Sequence, residues 1–555
     1  MSTDDESFHP LGNEWEDELE SMLDDTEYDS KLGMEMAEDA MRVTKGELSE
    51  AEFHERYHDD VMEEFGEDQR PTAEAYEAAQ EEAKGTFSRM LDAFDGDGEE
   101  TRRETMKKMG VGAAAVGVGA FGGKAGDVTE SVAGEGGHGG TETQEHSDVQ
   151  WGMTIDLDRC DGCLTCMSAC SQENDLDMGV NWMYVMAWED ELHSSPDGGA
   201  GVNETGGYTD FNMGSEFNML VRPCQHCTDA PCEKVCPTTA RHTRDKDGLV
   251  LTDYDVCIGC RYCQVACPYG VNYFQWDEPD VPYDEIDGLE SPENPDEITH
   301  AKYEYGQRWV DSRAPRGTMS KCTMCPSMQD GKQGEDKVGT TACESACPPD
   351  AIQFGNVKDE KSDPYQHREY PSKSRAIVHL TNGTESSKSA PSVDDINSAL
   401  SDGDDLETAI GNVEGLTEDI LAVMKAVEII SEGTEPGDGE NNTILSSEQD
   451  ILAAVEAFEQ YVDLESDDAL DELQLGDGSK QQARFLLHQY TGEPTSFKLL
   501  EDIGTNPNVT YLGQEPGPEA QQVPGPTKYE DVDLLDKRQE YLDDETVGRI
   551  DGVSL

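Results

Sequence analysis

Sixteen cysteines fall between Cys160 and Cys347 in four runs of four, and none lies elsewhere in the 555 residues. Cys160, Cys163, Cys166 and Cys170 follow C-x2-C-x2-C-x3-C. Cys257, Cys260, Cys263 and Cys267 repeat that spacing and close on Pro268. Cys224, Cys227, Cys232 and Cys236 follow C-x2-C-x4-C-x3-C ahead of Pro237. Cys322 and Cys325 are joined, across a 17-residue loop, by Cys343 and Cys347 ahead of Pro348. Any fold of this region must close four short thiol-rich loops, so the chemistry of the thiols constrains everything built around them.

Disulfides fit poorly, because a thiol two residues from the next bridges only with strain and three in seven positions leave mismatched partners. Zinc ribbons use pairs of C-x2-C split by longer loops, often with histidine, and only the fourth run would suit zinc by itself. The first and third runs carry the bacterial ferredoxin spacing C-x2-C-x2-C-x3-C-P, the first without its proline, which is a specific signal for 4Fe–4S clusters. Three thiolates on one loop cap three irons of a cubane while the loop's N–H groups face the sulfurs. The fourth cysteine starts the next helix and reaches a neighbouring cluster, so runs are expected to work in pairs, each exchanging its last cysteine.

Taken in order, "CDGCLTCMSAC", "CQHCTDAPCEKVCP", "CIGCRYCQVACPYG" and "CTMCPSM…ACESACPPDAIQFG" resemble the iron–sulfur electron-transfer subunits of the DMSO reductase and polysulfide reductase family. "SFKLLEDIGTNPNVTYL" is similar to the closing segment of those subunits. The resemblance covers residues 149 to about 360 and about 484 to 513, less than half of the chain. It implies an α+β fold of two pseudo-symmetric bacterial-ferredoxin-like halves with long loops, here with acidic helical extensions. It also implies that runs one and four exchange, as do runs two and three. Cys160, Cys163, Cys166 and Cys347 would then hold one cluster, and Cys322, Cys325, Cys343 and Cys170 a second. Cys224, Cys227, Cys232 and Cys267 would hold the third, and Cys257, Cys260, Cys263 and Cys236 the fourth. In the nitrate reductase branch a tryptophan stands where this chain has Cys260 and that cluster has three irons, so four 4Fe–4S clusters are expected here.

The remaining residues bound the setting. With 40 basic and 121 acidic residues the formal net charge is −81, which repels nucleic acid and lacks the basic stripe that phosphates require. The acid is spread between the motifs as well as at the ends. It reads as the surface of a folded protein from a halophile, where screening makes dense carboxylates tolerable, with disordered ends in addition. No stretch reaches the roughly 18 apolar residues of a membrane span. Arg102 and Arg103, with Lys107 and Lys108, precede the Gly/Ala-rich run Met109–Gly123 and resemble a twin-arginine export signal, the simpler alternative being a Gly-rich hinge after a basic helix end.

The expected organisation is an acidic helical extension over 1–100, the twin-arginine-like segment over 101–126, a Gly/Glu/His/Thr-rich linker over 127–148 and the four-cluster region over 149–380. An acidic helical insertion over 381–480, a family-like segment over 481–515 and a loose acidic tail over 516–555 follow.

Arg222, Arg261 and Lys321 sit beside cysteines, where positive charge raises a cluster's potential; solvated or acid-paired side chains are the competing reading. Tyr262, Tyr269, Tyr273, Phe274 and Trp276 read as core around the clusters. His226 lies within the second run beside a filled ligand set, and His138 and His146 in the linker could take a stray metal.

No dinucleotide fingerprint, triad or substrate-pocket signature is present, so the chain reads as a non-catalytic electron-transfer subunit. It would connect a molybdopterin catalytic subunit with an integral membrane quinone-reactive subunit, on the outer face of the membrane and with no span of its own. Alternatives are the equivalent subunit of a membrane-bound hydrogenase and a free polyferredoxin or scaffold.

Overall fold

A computed structural model describes residue 9 and residues 13–24, 26–79, 148–176, 180–189, 218–276, 314–381, 390–401, 405–431, 443–492, 494–517 and 520–522. The twin-arginine-like segment, with Arg102 and Arg103, most of the linker, with His138 and His146, and the tail beyond 522 lie outside the described residues.

The described N-terminal residues open with helices α1 (Asn13–Asp24), α2 (Ser30–Thr44) and α3 (Glu50–Phe65). Their ends are written in the sequence. Asp29 caps α2 by accepting from the Leu32 N–H, Ser49 and Glu52 form a capping box on α3, and Gly66 stops α3 in the left-handed region (φ 78°). The apolar faces carry Leu19, Leu23, Leu32, Met36, Phe53, Tyr57 and Val61, all buried. That face packs on the cysteine region, sharing one core with Val235, Cys260, Tyr262, Val265 and Ala266. Gly33 meets the Tyr262 ring so closely that a Cβ would stand 2.6 Å from Cε1, and Tyr262 Oη donates to the Asp29 carbonyl at 2.7 Å. These helices thus form a cap over the third cysteine run.

The cysteine region opens with β1 (Trp151–Asp156), whose residues are buried on both faces past Trp151. Helix α4 (Thr165–Glu173) follows, and β2 (Tyr184–Glu189) pairs antiparallel with β3 (Asn218–Arg222). Short helices α5 (Pro231–Lys234) and α6 (Tyr262–Val265) flank the hairpin of β4 (Arg241–Thr243) and β5 (Val250–Thr252). A second small pair joins β6 (Tyr273–Phe274) to β7 (Met319–Ser320). Then come α7 (Pro326–Gln329), α8 (Ala342–Ser345) and β8 (Ile352–Asn356).

A helical bundle follows: α9 (Asp363–Glu369), α10 (Pro371–Thr381), α11 (Val393–Ala399), α12 (Leu406–Asn412), α13 (Glu418–Ser431), α14 (Thr443–Glu459), α15 (Asp467–Glu472) and α16 (Lys480–Thr491). Residues Ser362, Ser392, Asp405, Ser466 and Ser479 cap five of them. Their core, from Ala376 to Leu487, is separate from that of the cysteine region. The chain then returns. β9 (Ser496–Phe497) and β10 (Val509–Leu512) complete the sheet β8-β1-β10-β9, with β10 parallel to β1 through Met153↔Val509, and β11 (Gln521–Gln522) adds to β2. The "FKLLEDIGTNPNVTYLG" stretch holds a single 3-10 turn at Glu501–Ile503 and the strand β10.

One buried ion network joins the helical bundle to β1. Arg375 on α10 donates through Nε to Asp156 at 2.5 Å and through Nη2 to the other oxygen, and His367 Nε2 lies 3.4 Å from the same carboxylate. Burial opposes ionisation of Asp156, but His367 and Arg375 outweigh it and hold its pKa down at about 2. Because the folded value lies below the unfolded value of about 3.9, the contribution is complete above pH ~4 and fades as pH falls towards 2. Asp156→Asn leaves the buried Arg375 only the half-exposed Asp158, 3.0 Å from Nη2, as a charge partner and is expected to cost about 3 kcal/mol at pH 7, read as a lowered thermal midpoint; an unchanged midpoint would refute the role of the pair.

Candidate metal centres

The four cysteine runs use one backbone device. The residue two positions after the first cysteine has a positive φ in every run: Gly162 (67°), His226 (41°), Gly259 (68°) and Met324 (57°). In the two runs of identical spacing the fourth position repeats it as well, in Leu164 (63°) and Arg261 (64°). Left-handed residues among right-handed ones turn successive N–H groups to one side, forming a concavity suited to anionic sulfur. Glycine is required at 259, where a Cβ would stand 1.9 Å from the Gly317 carbonyl oxygen.

A second device follows the last cysteine. Pro237, Pro268 and Pro348 end their helices, and the residue three beyond the cysteine is left-handed: Thr239 (55°), Gly270 (61°) and Asp350 (49°). The turn aims main-chain donors back at sulfur, with Arg241 N and Ala351 N each 3.3 Å from Cys236 Sγ and Cys347 Sγ. The first run lacks the proline, and there α4 runs on through Cys170 to Glu173.

These turns gather the thiols across runs. Cys236 lines one cavity with Cys257, Cys260 and Cys263. Cys267 lines another with Cys224, Cys227 and Cys232, and Cys170 a third with Cys322, Cys325 and Cys343. Cys160 and Cys166 sit close enough to Cys347, and Cys347 to Cys163, for each to resist the other's ionisation. Burial, reinforced by neighbouring thiols, pushes Cys257 and Cys322 up to about 11 and Cys166 and Cys325 to about 12. Thiols packed in this way ionise together only around a polycation, as thiolate metal sites require. The all-sulfur donor sets, with main-chain N–H groups beside them, fit iron–sulfur clusters.

Buried cations and a histidine complete the surroundings. His226 is fully buried; its Nδ1 accepts from the Val250 N–H at 3.0 Å, which leaves Nε2–H to donate to the Cys322 carbonyl at 2.9 Å. It therefore ties the second run to the fourth as a neutral imidazole. Lys321 is buried and donates to the carbonyls of Cys322 (3.0 Å) and Val250. Arg261 lies against the Phe274 and Trp276 rings, 4.0 and 4.2 Å from their centroids, and Nη1 donates to the Met22 carbonyl of the cap at 2.7 Å. Arg222 lies 5.5 Å over the Tyr184 ring. Trp276, expected in the core, is 63 % exposed; the guanidinium stacked on one face replaces burial.

Sequence reasoning passes over Arg241. It is 2 % exposed, its Nη2 lies 3.4 Å from Cys263 Sγ and 2.8 Å from Asn272 Oδ1, and it stands between the cavity of Cys263 and that of Cys232. The signal was available, since "RHTRDK" is a concentration of positive charge in a chain so acidic. Asn174 is a second omission: its Nδ2 donates to the Cys170 carbonyl at 3.0 Å and lies 3.6 Å from that sulfur.

Comparison with known proteins assigns the class. Residues 215–281 and 249–348 each match a 4Fe-4S dicluster domain, so these cavities belong to a protein that binds 4Fe–4S clusters on a ferredoxin-like fold of mixed helices and sheets. Residues 9–73 match the N-terminal region of 4Fe-4S ferredoxin iron-sulfur binding, a relation that the cap's sequence did not suggest. A protein of Halobacterium salinarum, assigned by its name as an iron-sulfur subunit of a dimethyl sulfoxide reductase, is 37% identical over 217 residues, 39% of this chain and 69% of that one. The arsenate respiratory reductase iron-sulfur subunit of a Shewanella strain is 34% identical over 39% of this chain and 85% of its own. A selenate reductase subunit of Mesobacillus selenatarsenatis is 34% identical over 39% of this chain and 63% of its own. The chain belongs to the family of iron–sulfur electron-transfer subunits of molybdopterin reductases. Among the described residues no helix is long and apolar enough to cross a membrane.

Two substitutions test the site. Gly259→Ala is expected to abolish the turn of the third run and lower iron content, measured by iron analysis at unchanged yield; full iron retention would refute the steric argument. Arg241→Gln removes a buried positive charge and is expected to lower the midpoint potential of an adjacent cluster by roughly 100 mV, the size of a charge interaction at about 5–8 Å with an effective dielectric near 20. Redox titration followed by EPR reads it, and an unmoved or raised potential would contradict the placement.

Proposed function

We propose that the protein holds four 4Fe–4S clusters and transfers electrons between a quinone-reactive membrane subunit and a molybdopterin catalytic subunit. The ligand sets are Cys160, Cys163, Cys166 and Cys347; Cys322, Cys325, Cys343 and Cys170; Cys224, Cys227, Cys232 and Cys267; and Cys257, Cys260, Cys263 and Cys236. The observation that carries this reading is the interlock of the second and third runs, where Cys236 sits in the cavity of the third run and Cys267 in that of the second. A zinc ribbon or a structural thiol cluster has no need of such an exchange, whereas adjacent cubanes on ferredoxin-type loops do.

Bound clusters supply one-electron carriers; the chain's own residues bury them, exclude water and place positive charge beside them. The full set of ligands includes Cys260, so a three-iron centre is not expected. The hydrogenase alternative draws no support from the relatives, whose names assign them to reductases and dehydrogenases of oxyanions, sulfoxides and quinones. The acidity and the resemblance of Arg102-Arg103 and the following apolar run to an export signal support passage by the twin-arginine route to the outer face of the membrane in a high-salt organism.

Anaerobically purified protein is expected to carry roughly sixteen irons per chain. Cys260→Ala should lose one to four of them and one EPR-active centre after reduction, leaving the others. A wild-type content near eight, or no loss in the variant, would overturn the four-cluster assignment. Co-purification with a subunit that contains molybdenum tests the partner, and a nickel-containing one would favour the alternative.

A further inference from the structure

The cap carries a cluster of metal-ligating side chains that the cysteine sites do not use. His54 and His58 lie one turn apart on α3 and so share a face; their ring centroids are 5.3 Å apart. After Gly66 ends the helix, the chain doubles back and brings Asp68, Arg70 and Thr72 against that face. Asp68 Oδ2 stands 3.0 Å from His58 Nδ1 and 3.7 Å from His54 Nε2. One ligand atom from each of the three side chains falls within 4.8 Å of the others.

The surroundings hold these atoms in place. Arg70 donates to both Asp68 oxygens, Nε to Oδ1 at 2.8 Å and Nη2 to Oδ2 at 2.7 Å, and its Nη2 also reaches the His54 carbonyl at 3.1 Å. His54 Nδ1 and Thr72 Oγ1 are 3.2 Å apart, so one imidazole nitrogen is engaged and the other faces the carboxylate. A metal-ligating histidine is normally oriented by a hydrogen bond at its second nitrogen in this manner. The 3.7 Å gap between Nε2 and the carboxylate is too long for a hydrogen bond. The Asp68 side chain is inaccessible and that of His54 nearly so, while His58 is 44 % exposed and opens a path from solvent.

We propose that His54 Nε2, His58 Nδ1 and Asp68 Oδ2 form a site for a divalent metal ion of the zinc type, with a fourth position open to water on the His58 side. Two imidazoles and one carboxylate are a zinc donor set. Entry of the cation at His58 Nδ1 sends the proton shared with Asp68 to the other ring nitrogen or to solvent, and Asp68 keeps its bonds from Arg70. The guanidinium opposes the cation and limits affinity, but it also fixes the carboxylate. The metal would join α3 to the segment that follows it. That segment donates from Gln69 N to the carbonyl of Pro237, next to Cys236, at 3.0 Å. The site would therefore fasten the cap at the edge of the third-run cavity.

The test uses the full-length, iron-loaded protein, dialysed against chelator with iron counted before and after, then titrated anaerobically with zinc chloride by calorimetry. One zinc per chain is expected. His58→Ala and Asp68→Asn should each abolish it with iron content and circular dichroism unchanged, and Thr72→Val should weaken it about 10–100-fold. The pair His138→Ala/His146→Ala should bind as the wild type does. Zinc X-ray absorption should show nitrogen and oxygen near 2.0–2.1 Å and no sulfur. A sulfur shell, wild-type binding by His58→Ala, or no uptake by the wild type would overturn the proposal and leave the group as a closed ion-pair network. None of these outcomes bears on the cluster count, which the iron analysis reads separately.

Discussion

Gathering four thiols into one buried cavity is the constraint on which the cysteine region depends. Thiols such as Cys166, Cys257 and Cys322 resist ionisation because they are buried and stand beside other thiols. The protein meets that cost with main-chain geometry. A left-handed residue at the second position of all four loops turns N–H groups towards sulfur, and a proline turn after three of the last cysteines adds another donor. Apart from those prolines, neither device needs a particular side chain except where the backbone is crowded, as at Gly259. This is why the runs tolerate such different residues between their cysteines. The rest of the region is arranged to bring one loop's last cysteine to the first three of its partner loop.

The two helical parts act on this arrangement from different elements. The cap lays Leu19, Met36, Phe53 and their neighbours over Tyr262, Val265 and the loop of Cys260, so the third run is covered from outside by residues about 200 positions away in the chain. The bundle instead grips β1 through Arg375, His367 and Asp156. β1 leads directly into the first run, and β10, after the bundle, lies beside it. An insertion of about a hundred residues can therefore sit between β8 and β10 without disturbing the sheet, because the strands before and after it, β8 and β10, pair with the two edges of the same strand.

Much of the site was legible in the sequence because ferredoxin-type spacing is set by covalent geometry: three thiols can face one cluster only if the loop between them is that short. The helices of the cap and bundle were legible as helices from their apolar period, and the structure adds the capping pairs Ser49 with Glu52 and Ser392 with Asp395. What those helices cover was not. The apolar face of α2 reads the same whether it meets solvent-shielding partners or Tyr262, and periodicity carries no information about the partner. Arg241 escaped for a related reason. It is five residues beyond its cysteine rather than beside it, and only the turn through Thr239 brings it back to Cys236 and Cys263. Trp276 shows the reverse error, since hydrophobicity suggested burial where a stacked guanidinium does the covering.

Charge separates into layers. The chain is acidic by 81 formal charges, yet Arg241, Arg261 and Lys321, all buried, stand around the cysteine cavities. Thiolate-held clusters are anionic, so an acidic surface alone would make each added electron harder to accept. Surface carboxylates, however, act through water and salt, and beyond about 10 Å at 0.1 M ionic strength their field is largely screened; at higher salt it is screened sooner. A buried guanidinium 3.4 Å from a cysteine sulfur is not screened. A few cations placed inside can therefore govern the clusters' electrostatics against a far larger number of acids outside. Surface acidity is then free to serve solubility, because the interior has already fixed the charge that the cysteine sites experience.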